Sequence, residues 1–456
     1  MERVSSNDLT LLATDRGPVP MHMAAVLEFG ADAPEFAEVS AALAGRIPRV
    51  PRLRQRLTPA PWGCGRPLWA DDPSFSLDRH LEAAVIDGGR DAVLRFAADL
   101  ACRRLPTDRP PWAARWVRSA SGGPAALVFV AHHAMADGLG GLAVLAALAD
   151  QRPEHSAAHD GGPSPQAVGS PEPPTSQPPA FPQPPPSGLT LLADAWRERA
   201  AELAGLPRAL KGAARGLREL AIARGLRIRA AQTSFNRPTG GTRRVTEVTV
   251  PLRPLLDRAH ALGCTLNDLI LVAVCGAIAS ALRARGESPG PLVVSVPITS
   301  RRGTGADGGA ARLGNQNGVV PVEVPSDPDP EVRLARVAAQ TAARAGAPRG
   351  TSAGPLGVVF RALARAGIFQ RFIDRQRLVN TFLSNMRGPA EPLSLAGHRI
   401  AGIVPFTMTP GNVGVCFTVL SYAGSLVVAV VADPEIVPEQ DELTRLLVEE
   451  LDRLTA

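Results

Sequence analysis

Short apolar runs bounded by glycine and proline alternate along this chain with longer segments whose apolar residues recur at helical spacing. Met23-Ala24-Ala25-Val26-Leu27-Glu28-Phe29 and Ala125-Ala126-Leu127-Val128-Phe129-Val130-Ala131 have the length and near-continuous apolarity of buried strands. The periodicity predicts helices over 34–46, over 89–103, where Val93, Phe96, Ala97 and Leu100 share a face, and over 139–150, where Leu139, Leu142, Leu145, Ala146 and Ala149 do. The second half repeats this texture. It predicts helices over 192–224, 251–262, 265–285 and 438–454, and strands over 244–250, 291–297, 319–324, 398–404, 412–421 and 425–432. Interleaved strands and helices argue for an α/β fold, and the hairpin-like neighbours make its sheets mixed.

One segment breaks the pattern. Between Gln151 and Thr190 lie twelve prolines among Ser, Gln, Gly and Ala, as in Pro171-Glu172-Pro173-Pro174 and Pro182-Gln183-Pro184-Pro185-Pro186. Such a composition cannot bury a core and reads as a linker, able to stretch roughly 100 Å at about 3.1 Å per residue. It divides the chain into an N-terminal domain (1–150), the linker (151–190) and a C-terminal domain (191–456). No internal repeat at a fixed period is visible.

Composition narrows the class. The 456 residues are 45% apolar and 20% charged, which fits a globular protein and excludes a wholly disordered or fibrous one. The five cysteines, Cys64, Cys102, Cys264, Cys275 and Cys416, are widely spaced with no C-x-x-C pair, so the sequence suggests neither a disulfide framework nor a zinc site. No basic-then-apolar signal opens the chain, and the longest apolar run, Leu269 to Leu282, is 14 residues, shorter than a bilayer span. The expectation is a cytoplasmic protein without an integral membrane segment. The net charge of +6 is local: residues 208–244 carry ten basic residues against Glu219 alone, which leaves the remainder slightly acidic and argues against a nucleic-acid partner.

The sharpest chemical feature is Ala131-His132-His133-Ala134-Met135-Ala136-Asp137-Gly138, where a strand ends and an apolar helix begins. In a chain with eight histidines, H-H-x-x-x-D-G arises by chance with a probability of roughly one in a thousand, so composition alone does not account for it. Adjacent residues at a strand end point to opposite faces, so one imidazole can enter a cleft while the other packs inward. An imidazole titrating near neutrality can take a proton from a hydroxyl, and Asp137 stands where a carboxylate caps the next helix. Three other readings were weighed. Neighbouring strand residues diverge, which disfavours a metal site. A purely structural pair would be satisfied by backbone groups. A serine-hydrolase triad lacks its G-x-S-x-G elbow.

The motif and its surroundings resemble the bacterial wax ester synthase/diacylglycerol acyltransferase family, and more distantly chloramphenicol acetyltransferase and the condensation domains of peptide synthetases. The resemblance covers almost the whole chain outside the proline linker. It includes Ser5-Ser6-Asn7-Asp8, Pro20-Met21-His22-Met23, Arg66-Pro67-Leu68-Trp69 and Asp108-Arg109-Pro110-Pro111-Trp112 ahead of the histidines. Beyond the linker it continues through Asn236-Arg237-Pro238, Thr265-Leu266-Asn267-Asp268, Val296-Pro297-Ile298-Thr299-Ser300-Arg301, Gly314-Asn315-Gln316, Ser384-Asn385-Met386-Arg387-Gly388-Pro389 and Leu420-Ser421-Tyr422-Ala423-Gly424. The chain departs from the family's usual pattern at Pro111, often leucine, at Met386-Arg387, usually more apolar, and in its longer linker.

The resemblance implies two chloramphenicol acetyltransferase-like domains, each a mixed sheet with helices, with an active-site channel between them. It implies His133 as general base, His132 as its structural or supporting neighbour, and an Asp137-Gly138 turn held through an ion pair of Asp137 with an arginine. It further implies that Asn267 matters for activity near the channel. The sequence reading of Asn267 keeps a helix N-cap as the equal alternative. The expected reaction is transfer of a fatty acyl group from acyl-CoA, as substrate and with no cofactor or metal, to a lipophilic acceptor: a long-chain alcohol or diacylglycerol. The alternative is a specialised-metabolite hydroxyl or amine, and a non-catalytic lipid-binding scaffold is a third class. The basic stretch is open to three readings: a helix docking on an anionic membrane or lipid droplet, an ordinary amphipathic helix with a solvated arginine face, and a site for CoA phosphates.

Overall fold

The computed structural model describes residues 2–120, 125–150, 180–201, 204, 230–299, 317–344, 353–408 and 410–455. The linker up to residue 179, the basic residues over 205–229, and the motif positions Ser300, Arg301, Gly314, Asn315 and Gln316 lie outside them. The first half forms α1 (Ser6–Thr14), β1 (His22–Phe29), α2 (Phe36–Arg46), β2 (Leu81–Ile86), α3 (Arg90–Cys102), β3 (Trp112–Ser119), β4 (Ala126–His132) and α4 (Gly138–Leu148). After the linker come β5 (Arg244–Pro251), α5 (Leu252–Ala261), α6 (Leu266–Ala284), β6 (Leu292–Thr299), β7 (Asn317–Val324), α7 (Pro330–Arg344) and α8 (Ala353–Arg365). The chain closes with β8 (Thr381–Arg387), β9 (Ser394–Leu395), β10 (His398–Thr407), β11 (Val415–Tyr422), β12 (Ser425–Ala432) and α9 (Gln440–Thr455).

Two six-stranded sheets result, with orders β9-β10-β1-β4-β3-β2 and β7-β6-β8-β11-β12-β5. Both are mixed, as the pattern predicted: β2 runs parallel to β3, and β8 runs parallel to both β6 and β11, while the remaining pairs are antiparallel. The predicted strands and helices in the described residues appear within a few positions of their expected bounds. The expected helix over 192–224 is described only over 188–201 and at residue 204. The central strand β8 was not predicted, because Thr381-Phe382-Leu383-Ser384-Asn385-Met386-Arg387 has too many polar residues to read as a buried strand. Its neighbours on both sides impose the extended backbone.

Helix α6 sits under the second sheet. Its capping box is reciprocal: Asp268 N–H donates to Thr265 Oγ1 at 3.2 Å and Thr265 N–H to Asp268 Oδ2 at 2.9 Å. From Asp268 to Ala279 every residue is buried, packed against β11, β12 and α9. This 19-residue helix is long and apolar enough to cross a bilayer by composition, and here its all-round apolarity matches its all-round burial in the core.

The sheets do not divide at the proline segment. Strand β10, far beyond it, pairs antiparallel with β1, from Ile400 opposite Phe29 to Thr407 opposite Met23. The β9–β10 hairpin is held by Asp150, just ahead of the linker, whose carboxylate accepts from the amides of Ala396 (3.1 Å) and Gly397 (2.7 Å) and pairs with Arg46. Tyr422 of β11 adds a second tie, donating its hydroxyl to Ile400 O at 2.9 Å and accepting from Leu393 N at 2.8 Å. A single apolar core runs between the sheets, with Val26, Val128 and Val130 on one side and Cys416, Val427 and Val431 on the other.

Replacing Asp150 with alanine leaves two turn amides and Arg46 without their acceptor. Asp150→Ala is expected to destabilise the protein by about 1–3 kcal/mol, read from urea unfolding.

Candidate active site

Strand β4 ends at His132, and His133 is the first residue beyond it. Two bonds fix this end: His132 N–H donates to Pro111 O and His133 N–H to Met21 O, both at 2.9 Å. Pro111 adjoins Trp112, whose ring is stacked between His80 (centroids 4.4 Å apart) and Phe129 (5.4 Å), with its indole N–H donating to Leu53 O at 2.8 Å. The Asp108-Arg109-Pro110-Pro111-Trp112 segment thus positions the histidines through its backbone, and a proline at 111 serves because only its carbonyl is used.

The strand alternation sets the side chains of β4 on two faces. Ala126, Val128 and Val130 enter the core between the sheets, and His132 follows them, while Leu127, Phe129 and Ala131 enter the core on the other face. His132 is buried and both its ring nitrogens are occupied. Ala134 N–H donates to Nδ1 at 3.0 Å, so Nδ1 is the acceptor, and Nε2 carries the proton directed at Asp15 Oδ2, 3.3 Å away. Asp15 also accepts from Met21 N (3.1 Å) and Arg104 (3.2 Å). Burial works to raise the Asp15 carboxyl, and its bond to His132 with the Arg104 charge outweighs this, so it lies below the usual carboxylate range. Asp15 and Arg104 escaped the sequence reading, since nothing local links residues 15 and 104 to 132.

His22 of β1 pairs with His132 across the sheet, their rings edge to face at 5.9 Å. Its Nδ1–H donates to Ala101 O at 2.9 Å. Burial first, and then the neighbouring His132, push its pKa down to about 4. It is therefore neutral near pH 7. His133 is half-buried in the turn that follows the strand.

Asp137 is fully buried and caps α4, its Oδ1 accepting from Gly140 N–H at 2.8 Å. Gly138 has a steric reason: a Cβ there would sit 2.6 Å from Met386 Sδ. Met386, the departure seen in the sequence, reaches from β8 over the start of α4 and joins the second sheet to the histidine loop. Asn267 is the second residue of α6. The cap of α6 is Thr265, so the N-cap alternative for Asn267 does not hold; its side-chain oxygen instead accepts from Asn385 Nδ2 at 3.4 Å. Asn385 and Met386 lie on opposite faces of β8, so Asn267 is tied to the strand whose Met386 touches the histidine loop.

Residues 4–270 match the family model for the wax ester synthase/diacylglycerol acyltransferase catalytic domain, and residues 313–455 match the WS/DGAT C-terminal domain. A Mycobacterium tuberculosis protein described as a probable diacylglycerol O-acyltransferase is 28% identical over 440 residues, 93% of this chain and 89% of its own. Among solved structures, the wax ester synthase/diacylglycerol acyltransferase of Marinobacter aquaeolei VT8 aligns with TM-score 0.65 at 19% identity, covering 100% of this chain and 98% of that one. A starter condensation domain of rhizomide synthetase, solved with C8-CoA, aligns with TM-score 0.56 at 16% identity over 98% of this chain and 94% of that one. These likenesses match the two sheet-and-helix units described above.

Two predictions arise here. Gly138→Ala should cost about 1–3 kcal/mol by overpacking, and Met386→Ala in the same chain should recover most of it, a coupling read by denaturant unfolding of the four-member cycle. For His22, the folded pKa lies below the unfolded 6.5, so its contribution is complete above about pH 6.5 and is lost as the pH falls toward 4. The loss amounts to about 3 kcal/mol; urea unfolding at a series of pH values should show it, and His22→Gln should flatten that slope.

Proposed function

The chain belongs to the wax ester synthase/diacylglycerol acyltransferase family and is an acyltransferase, and on that premise we propose that it transfers a fatty acyl group from acyl-CoA to the hydroxyl of a long-chain alcohol or diacylglycerol, with His133 as general base. The observation that carries this assignment is the division of labour in the histidine pair. His132 has both ring nitrogens engaged inside the fold, by Ala134 and Asp15, so the role of base falls to its neighbour His133, half-buried in the turn just past the strand end.

In the proposed reaction His133 removes the proton from the acceptor hydroxyl as its oxygen attacks the thioester carbonyl. The tetrahedral oxyanion collapses, the C–S bond breaks, and the imidazolium returns the proton to the departing CoA sulfur. No acyl-enzyme is needed, and acyl-CoA enters as a substrate with no further cofactor. General-base assistance of this kind is worth about 10²- to 10⁴-fold, and holding both substrates in one channel between the sheets contributes more. Asp137 and Gly138 act in this scheme by fixing the loop and its contact with Met386. Asn267 is a positioning residue acting through Asn385. A CoA donor is supported by the C8-CoA complex of the condensation domain that shares this fold.

That same likeness favours one second reading, in which the acceptor is a specialised-metabolite hydroxyl or an amine. Thiol release measured over acyl-CoA chain lengths crossed with long alkanols, diacylglycerol and amines separates the two. Turnover confined to amines would overturn the lipid assignment. His133→Ala should lower turnover by at least about two orders of magnitude while unfolding with the wild-type midpoint, and near-normal thiol release would remove the base assignment.

A further inference from the structure

Asp15 ends α1, 117 residues ahead of His132, and its side chain is largely buried. Both of its carboxylate oxygens lead to the backbone of His133. Oδ1 accepts from Met21 N–H at 3.1 Å, and the carbonyl of the same Met21 accepts from His133 N–H at 2.9 Å. Oδ2 accepts from His132 Nε2–H at 3.3 Å, and Nδ1 of that ring accepts from Ala134 N–H at 3.0 Å. The two amides reached in this way, those of His133 and Ala134, flank the α-carbon of His133. Arg104, just past α3, steadies the carboxylate, with Nη1 3.2 Å from Oδ2 and Nη2 donating to Gly17 O at 2.9 Å.

We propose that Asp15 is a positioning residue for the acyl transfer: acting through Met21 and the His132 ring, its carboxylate fixes both peptide planes of His133 and so aims that imidazole at the acceptor hydroxyl. This role rests on His133 being the base. His133 lies past the last paired residue of β4, so the strand ladder no longer orients its backbone, and the two planes on either side of its α-carbon set its φ and ψ. The task needs a carboxylate. Oδ1 faces the Met21 N–H, and Oδ2 faces His132 and Arg104, so an amide in either orientation sets its NH2 against a donor. Turned toward His132, that NH2 favours the tautomer with its proton on Nδ1, and the Ala134 amide then loses its acceptor. A base displaced by about 1 Å loses up to about 10²-fold in rate.

The test compares the full-length wild type with Asp15→Asn and Asp15→Glu. Thiol release is measured from palmitoyl-CoA paired with hexadecanol, dipalmitoylglycerol and hexadecylamine in turn, at a temperature where circular dichroism shows every chain folded. The nitrogen NMR shifts of the histidine rings, with His132 assigned by its loss in His132→Gln, report the tautomer. Wild-type His132 should show a protonated Nε2 and a bare Nδ1. Asp15→Asn should move that ring toward the Nδ1–H form and lower kcat about 10- to 100-fold with KM within about twofold, and Asp15→Glu, which keeps two acceptors, should recover most of the loss. A protonated Nδ1 in the wild type overturns the proposal without any variant. Wild-type kcat in Asp15→Asn, or a loss confined to KM, also overturns it. Near-normal thiol release by His133→Ala, with the His132 shifts as expected, is a failure of the base assignment; the expected loss in His133→Ala beside an unimpaired Asp15→Asn is a failure of this one.

Discussion

The pairing of β10 with β1 is the constraint on which the rest of the structure depends. It inserts a strand from the far end of the chain into the sheet that carries the histidine pair. At the end of that pairing the His22 carbonyl accepts from Met408 N at 3.0 Å and from the Thr407 hydroxyl at 3.3 Å, while the adjacent Met21 carbonyl holds His133 N. The strand that fixes the histidine loop is thereby fixed by the second half of the chain. Asp150 and Tyr422 close the same connection from either side of the linker, so chain segments separated by some forty residues of proline-rich sequence share one core.

One face of β4 leads into an apolar space, and there the rings of His22 and His132 are held by hydrogen bonds: His22 Nδ1–H donates to Ala101 O, and His132 Nε2–H to Asp15, itself steadied by Arg104. The other face leads toward the second sheet, where Met386 passes close over a glycine that has no Cβ to obstruct it.

Much of this was readable from the sequence, because it is local. Near-continuous apolar runs such as Ala125–Ala131 fold as buried strands, helical periodicity places α2, α3, α5 and α6, and a carboxylate three residues before Gly140 caps α4, since these choices depend on neighbours a few positions away. The His-His-x-x-x-Asp-Gly spacing carried the candidate chemistry for the same reason: a strand end separates two adjacent side chains whatever surrounds it. Tertiary structure decided what depends on distant residues. It made a strand of the polar Thr381–Arg387 segment, joined β10 to the first sheet across the linker, tied Asn267 to Asn385, and supplied Asp15, held by Arg104, as a partner of His132. Each of these joins groups that are far apart in sequence, and the free energy of such contacts exists only once the chain has brought them within a few ångströms.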